Sequence, residues 1–268
     1  MSLKVEGVSQ FYQNVIALDA IDLVIPKGEL VVLCGKNGSG KSTLLKCMTG
    51  IQKPTRGTVT IDGRSAGQSR PKVGLAIQFP EKALFGRTVY DDLAFAPKNR
   101  GLQPAEVKEC VAAAKDAVGL SDDLLAQPHT ALSYGQKRLA GLACILSGTP
   151  DYLFLDEPTA GLDYPGKLRI KKLLENLNRS GLTIVVASHD PSLFTSICNR
   201  LLVLEAGRIV IDSMPEKADL VRAGFRSETL MLSRYLNDCG FDVRETFSPE
   251  KLAESVAEVI RRESFGTS

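Results

Sequence analysis

Gly35-Lys36-Asn37-Gly38-Ser39-Gly40-Lys41-Ser42 fits the spacing G-x-x-x-x-G-K-[ST]. Glycines at these places let successive backbone N–H groups turn inward around a phosphate chain. A helix starting where the loop ends adds the positive end of its dipole. Lys41 has the reach to meet β and γ phosphates, and the Ser42 hydroxyl is a ligand for Mg²⁺. A glycine-rich turn could match by accident. The setting argues otherwise, because a continuous apolar run, Leu30–Cys34, precedes the loop and a helix-forming stretch, 42–50, follows it.

A second chemical signal lies at Tyr152-Leu153-Phe154-Leu155-Asp156-Glu157, an apolar strand ending in two acids. Ligands of open α/β sheets sit at the carboxyl ends of the strands. Asp156 is then placed to hold Mg²⁺, directly or through water. Glu157 is placed to orient or deprotonate an attacking water. Acids also end strands at surfaces with no chemistry at all. Pairing with the phosphate loop favours the functional reading.

The elements that must position these groups alternate. Strand-type runs at 3–8, 21–25, Leu30–Cys34, 58–62 and 73–78 are rich in Val, Ile and Leu and bounded by turn residues. From 81 to about 150 the pattern turns helical, with helices expected over 104–119 and 133–146. Strands return at 152–155, 182–187, 201–205 and 208–212, with a helix over 165–180 between the first two. Such alternation predicts an α/β fold with a mostly parallel sheet. In the last 40 residues Leu232, Tyr235, Leu236 and Cys239 share a helical stripe. Ser248 and Pro249 then start a second helix, with Leu252, Val256, Val259 and Ile260 on one face.

Composition narrows the classes. Thirty-three Lys and Arg against 31 Asp and Glu give a net charge of +2, no support for a nucleic-acid footprint. No apolar run reaches the 18 or so residues a membrane span needs. The N-terminus has no secretory h-region. Six scattered cysteines without a C-x-x-C pair predict reduced thiols and a cytoplasmic location.

With these residues in view the chain resembles the ATP-binding-cassette (ABC) ATPases. Leu132-Ser133-Tyr134-Gly135-Gln136 is similar to the family's L-S-G-G-Q signature, and Ala160-Gly161-Leu162-Asp163 to its D-loop. Gln78 matches the Q-loop glutamine, His189 the switch histidine, and Tyr12 the aromatic that stacks on adenine. A strand tyrosine packed in the core is the competing reading for Tyr12. The resemblance implies a P-loop NTPase cassette: a RecA-like, mostly parallel sheet, an N-terminal antiparallel β part, a helical insertion at about 81–150, and a small C-terminal helical extension. The cassette would occupy 1–224 and the extension 225–268, the latter contacting a second ATPase protomer. ATP and Mg²⁺ are the implied ligands. Tyr12, Gly35, Asn37, Gly38, Ser39, Gly40, Lys41, Ser42 and Thr43 would hold the nucleotide, with Ser133, Gly135, Gln136 and Asp163 acting across a head-to-tail dimer. Ser42, Gln78 and Asp156 would hold the metal, and Glu157, His189 and Gln78 would serve catalysis. Tyr134 departs from the pattern, since glycine is usual there.

Residues 78–99 resemble the Q-loop region of the energy-coupling-factor (ECF) ATPases and their cobalt- and nickel-uptake relatives. That implies a peripheral subunit on the cytoplasmic face of the membrane. Its partners would be a membrane scaffold protein and a substrate-binding membrane subunit of an importer for vitamins or transition-metal ions. Exporter cassettes and soluble, non-transport ABC ATPases are the alternatives. Asp91 and Asp92 read either as a solvated helix face or as the edge of a groove for a scaffold helix.

Overall fold

The computed structural model describes residues 1–69, 72–215, 228–246 and 248–265. Two sheets stand at its centre. A four-stranded antiparallel sheet runs β2-β1-β4-β5, from β1 (Ser2–Tyr12), β2 (Val15–Pro26), β4 (Arg56–Ile61) and β5 (Arg64–Ser65). A six-stranded sheet runs β10-β9-β3-β8-β7-β6. Its members are β3 (Leu30–Cys34), β6 (Val73–Ala76), β7 (Tyr152–Asp156), β8 (Thr183–Ser188), β9 (Arg200–Glu205) and β10 (Arg208–Ser213). β3 lies parallel between β8 and β9, and β7 lies parallel between β8 and β6. Only β10 is antiparallel, joined to β9 by a tight turn.

Every residue of β3 and β8 is buried, which explains their unbroken apolar runs: a strand covered on both faces has no polar side to show. One core lies between the two sheets, with Val31, Leu33, Phe154 and Val185 meeting Leu3, Ile21 and Ile25 around the helix α1 (Lys41–Met48). The opposite face packs on helices, among them α6 (Tyr164–Arg179).

Between β6 and β7 lies the helical insertion: α2 (Val89–Asn99), α3 (Pro104–Val118), the single turn α4 (Asp122–Leu125) and α5 (Tyr134–Leu146). Val107, Val111, Ala114 and Val118 are buried on the face of α3 that periodicity marks. Helices α7 (Glu228–Asp238) and α8 (Pro249–Phe265) follow β10, and Val243, Leu252 and Val259 form their own small core. The boundary expected at 224/225 falls outside the described residues.

Several boundaries differ from the sequence reading. β1 and β2 run longer than expected because they form one hairpin through Gln13 at φ 49°, and register shifts in that pairing blur the period-two pattern. β6 stops at Ala76, so Gln78 lies beyond the strand. α2 was hidden by Pro97, which lies inside the helix near its C-terminal end and removes one N–H from the ladder there. The acidic pair does not act as one, since Asp91 is exposed and Asp92 is not. Asp91 completes a capping box with Thr88, and Asp92 is buried, accepting from the Phe85 and Gly86 N–H groups at 2.9 and 2.7 Å.

Candidate functional site

The phosphate loop is the turn between β3 and α1, and close contacts dictate its glycines. A Cβ on Gly40 (φ 107°) would stand 2.4 Å from the Ala17 carbonyl oxygen, and one on Gly35 would stand 2.3 Å from that of Leu204. Neighbouring strands therefore press on the loop from behind. Lys41 begins α1 and is buried; its Nζ donates to the carbonyls of Gly35 at 2.8 Å and Lys36 at 3.2 Å. Two carbonyl dipoles thus hold the ammonium across the loop. A phosphate offers it full negative charge instead.

A cleft of about 500 Å³ opens in front. Asn37, Gly38, Gly40, Lys41, Ser42 and Thr43 line it from the loop and α1, Asp156 and Glu157 from the end of β7, and Gln78 from beyond β6. Tyr12 closes one end at the tip of β1 beside Val15 and Ile16. It is not a core aromatic. The ring is half exposed, and its hydroxyl donates to Gln52 Oε1 at 2.7 Å. Gly35 and Ser39 lie behind the loop, along a smaller recess against Leu204 and Glu205. Buried there, Ser39 Oγ has no hydrogen-bond partner among the described residues.

The strand end at Asp156 and Glu157 is built with strain. Glu157 has φ 49°, a left-handed conformation uncommon for a residue with a Cβ. Its amide donates to Ala187 O on β8 at 2.9 Å. Its carboxylate accepts from the His189 backbone N–H at Oε1 (2.8 Å) and meets His189 Nδ1 at Oε2 (2.9 Å). Glu157 is therefore oriented by β8 as well as by its own strand. His189 does not line the cleft; it stands beside it, exposed, joined to Glu157.

Metal capacity can be judged from the donors. Among the described residues no three His, Cys, Asp or Glu side chains converge as a metal cage. The cleft offers instead the oxygens of Ser42, Asp156 and Gln78. One or two protein oxygens, with phosphates and water completing an octahedron, is the ligand pattern of Mg²⁺. The donor set fits that ion.

Ser133, Gly135, Gln136 and Asp163 are not brought to this cleft. Ser133 and Gln136 form a capping box at the start of α5: Ser133 N–H donates to Gln136 Oε1 at 2.8 Å, and Gln136 N–H to Ser133 Oγ at 3.3 Å. The serine hydroxyl proton stays available to a ligand. Asp163 caps α6 by accepting from Gly166 N–H at 3.0 Å. Tyr134 is exposed, and a Cβ on D-loop Gly161 would lie 3.3 Å from its hydroxyl. So the signature turn and the D-loop lie close together within one protomer.

Sequence reasoning missed Arg138. This side chain is wholly buried and hydrogen-bonds the carbonyls of Glu157 and Pro158. No local signal marks it, because Lys137 beside it is not buried and the groups that enclose Arg138 come from other segments of the chain.

A phosphate loop after a central parallel strand, facing two carboxylates on the neighbouring strand but one, defines a P-loop ATPase. The chain belongs to the ABC transporter family, whose model matches residues 18–160. It is similar to an energy-coupling factor transporter ATP-binding protein of Symbiobacterium thermophilum, with 40% identity over 78% of this chain and 77% of that one. Among solved structures it resembles CbiO1 of Clostridium perfringens, part of the ABC transporter complex CbiONQ. The TM-score is 0.77 at 33% identity, over 89% of this chain and 98% of that one. It also resembles the ATP-binding cassette MJ0796, solved as a dimer in a post-hydrolysis state with ADP and phosphate. There the TM-score is 0.71 at 27% identity, over 79% and 98%. The chain is an ABC cassette that binds and hydrolyses ATP.

Proposed function

We propose that this chain is the ATPase subunit of an ECF-type importer, seated on the cytoplasmic face of the membrane. Its partners are a second ATPase protomer, a membrane scaffold protein and a substrate-binding membrane subunit. The observation that carries the mechanism is the shared cleft of Lys41, Ser42, Gln78, Asp156 and Glu157. The ECF reading draws support from the Symbiobacterium and Clostridium relatives. Among the described residues no helix is long and apolar enough to cross a membrane, as suits a subunit that borrows its translocation path.

In this reading Tyr12 stacks on the base. The loop N–H groups and Lys41 take the phosphates, and Ser42, Asp156 and Gln78 hold Mg²⁺. The bound ion neutralises charge on the phosphate oxygens. Glu157 takes the proton of the attacking water, and His189 orients that carboxylate and donates to the γ-phosphate. Ser133, Gly135, Gln136 and Asp163 lie away from their own cleft, which suits service to the nucleotide of the opposing protomer. Residues 1–224 form the cassette and 225–268 an extension that joins the two ATPases.

Glu157→Gln tests the reading, since it keeps size and hydrogen bonding but removes the base. Turnover should fall about 10²- to 10⁴-fold while ATP stays bound. Sedimentation with ATP should show a closed dimer, and tagged chain drawn from detergent-solubilised membranes should bring two distinct membrane proteins. A variant with wild-type phosphate release refutes the base assignment. Extraction with a single outward-pumping membrane domain refutes the importer.

A further inference from the structure

Arg138, at the start of the second turn of α5, is 1% exposed. Arginine keeps its charge in proteins and is almost never fully buried without partners. Its partners here come from two places. Nη2 donates to Glu157 O at 3.1 Å and Pro158 O at 2.8 Å, and Nε to Pro158 O at 3.3 Å. On the other side Nη1 faces Glu81 Oε2 at 3.5 Å, and neither atom makes a hydrogen bond among the described residues. The Phe79 ring lies 5.9 Å from the guanidinium. Gly141, on the next turn, lets the same segment come close: a Cβ there would stand 2.7 Å from the Pro80 carbonyl carbon.

One guanidinium therefore joins three segments. It belongs to the helix headed by Ser133, it grips the peptides that follow Asp156, and it faces the residues just after Gln78. The joint is unequal. It is tight towards Glu157 and Pro158, where three N–H···O bonds form, and loose towards Glu81, where the ion pair is long. Glu157 needs such a grip, because its left-handed backbone is held at the amide by Ala187 and at the carbonyl by Arg138.

We infer that Arg138 is a positioning residue, holding the Glu157 peptide so that its carboxylate faces the cleft and passing shifts of segment 79–81 to it. The inference rests on Glu157 being the base. A shift that draws Glu81 towards Nη1 tightens the loose side and turns the guanidinium against the two carbonyls. A withdrawal takes the facing carboxylate away from Nη1 and frees the guanidinium to turn on the two carbonyls. Misplacing a reacting group by about 1 Å costs about 10²-fold in rate. Substrate binding needs none of these contacts, because Lys41 and the loop N–H groups do not touch Arg138.

The test is steady-state phosphate release by the ATPase dimer, with Mg-ATP affinity measured by titration on each variant. Arg138→Met should lower kcat about 10²-fold and leave ATP affinity within about threefold. Arg138→Lys keeps the charge and one donor, and should recover about tenfold of that loss. Glu81→Ala should lower kcat by about threefold to tenfold in the wild-type background and have no further effect beside Arg138→Met, the non-additivity of one shared path. Should Arg138→Met not fold, the Arg138→Lys and Glu81→Ala variants still decide. Wild-type kcat in Arg138→Lys, or an equal effect of Glu81→Ala in the wild-type and Arg138→Lys backgrounds, overturns the inference. Glu157→Gln runs alongside. If it is inactive while the Arg138 variants keep full kcat, the positioning role fails and the base assignment stands. If Glu157→Gln itself turns over normally, the base assignment fails and the inference with it.

Discussion

Replacing Tyr12 separates recognition of the base from recognition of the phosphates. The ring stands at the tip of β1 on the rim of the cleft, away from Lys41 and the loop glycines that line its floor. Its hydroxyl is tethered to Gln52, which fixes the ring plane without using a base-specific contact. Stacking of a base on an aromatic side chain is worth about 1–3 kcal/mol by alanine substitution. Tyr12→Ala should then weaken Mg-ATP binding by about 5- to 150-fold. Tyr12→Phe keeps the ring and loses one exposed hydrogen bond, at the low end of about 0.5–1.5 kcal/mol, so affinity should fall about twofold. Tripolyphosphate offers the loop the same charges with no base, and its binding should be the same in all three proteins. GTP should lose as much as ATP, because a π-face does not read the base edge. Isothermal titration with the three ligands measures every arm. If Tyr12→Ala weakened tripolyphosphate as much as ATP, the tyrosine would be shaping the loop rather than stacking. Unchanged ATP affinity would remove it from the site altogether.

Lys41→Ala should weaken ATP and tripolyphosphate alike, by about 2–5 kcal/mol for a lost buried charge contact, and titration that finds either ligand unaffected refutes the phosphate cradle. Ser133→Ala should cost about 10²- to 10³-fold in phosphate release by the assembled complex, while Tyr134→Gly costs less; a hundredfold gain in Tyr134→Gly would mean that the tyrosine cripples the signature. Phe154→Ala empties a fully buried site between β7 and the antiparallel sheet, and urea unfolding should show a loss of about 3–5 kcal/mol. Burial pushes the thiols of Cys34 and Cys144 up to about 12 and that of Cys47 to about 11. These groups stay protonated in the folded chain while they ionise in the unfolded one, so stability should fall as pH rises above the ordinary thiol range of about 8.5. At pH 8 iodoacetamide should label exposed Cys239 and spare these three until the chain is denatured, as mass spectrometry would show.

The phosphate loop and the acids at 156 and 157 were legible because their chemistry is local. A loop that wraps phosphate needs glycine at fixed steps, and a strand buried on both faces leaves an apolar run that ends abruptly at the polar site. The order of the strands from β3 to β9 was legible for the same reason. Other features depend on contacts far along the chain. Tyr12 read as a stacking platform by resemblance, with a core aromatic as the competing reading, until the hairpin set its tip on the rim of the cleft. Asp92 read either as solvated charge or as a groove edge, and only the fold of residues 85–86 supplies the two N–H groups that it meets in its buried place. Arg138 could not be told from a surface arginine by its neighbours Lys137 and Leu139. What buries it is Pro80 against Gly141 on one side and the turn after β7 on the other.

The place of β3 in its sheet bears on how the protein is made. Both of its partners, β8 and β9, come much later in the chain; Gly28, at its entry, bonds Thr183 across 155 residues. A ribosome adding about 5–20 residues per second needs on the order of 10–30 s to deliver that segment. Through that interval Leu-Val-Val-Leu-Cys waits as an apolar strand with two open edges, the kind of segment that pairs with whatever it meets. Nucleotide gives the nascent chain little help, since the acids of the cleft stand on β7 and Glu157 is set by β8. The cassette therefore closes its sheet late, when β8 arrives to bridge β3 to the β7–β6 pair and β9 then covers the other edge of β3.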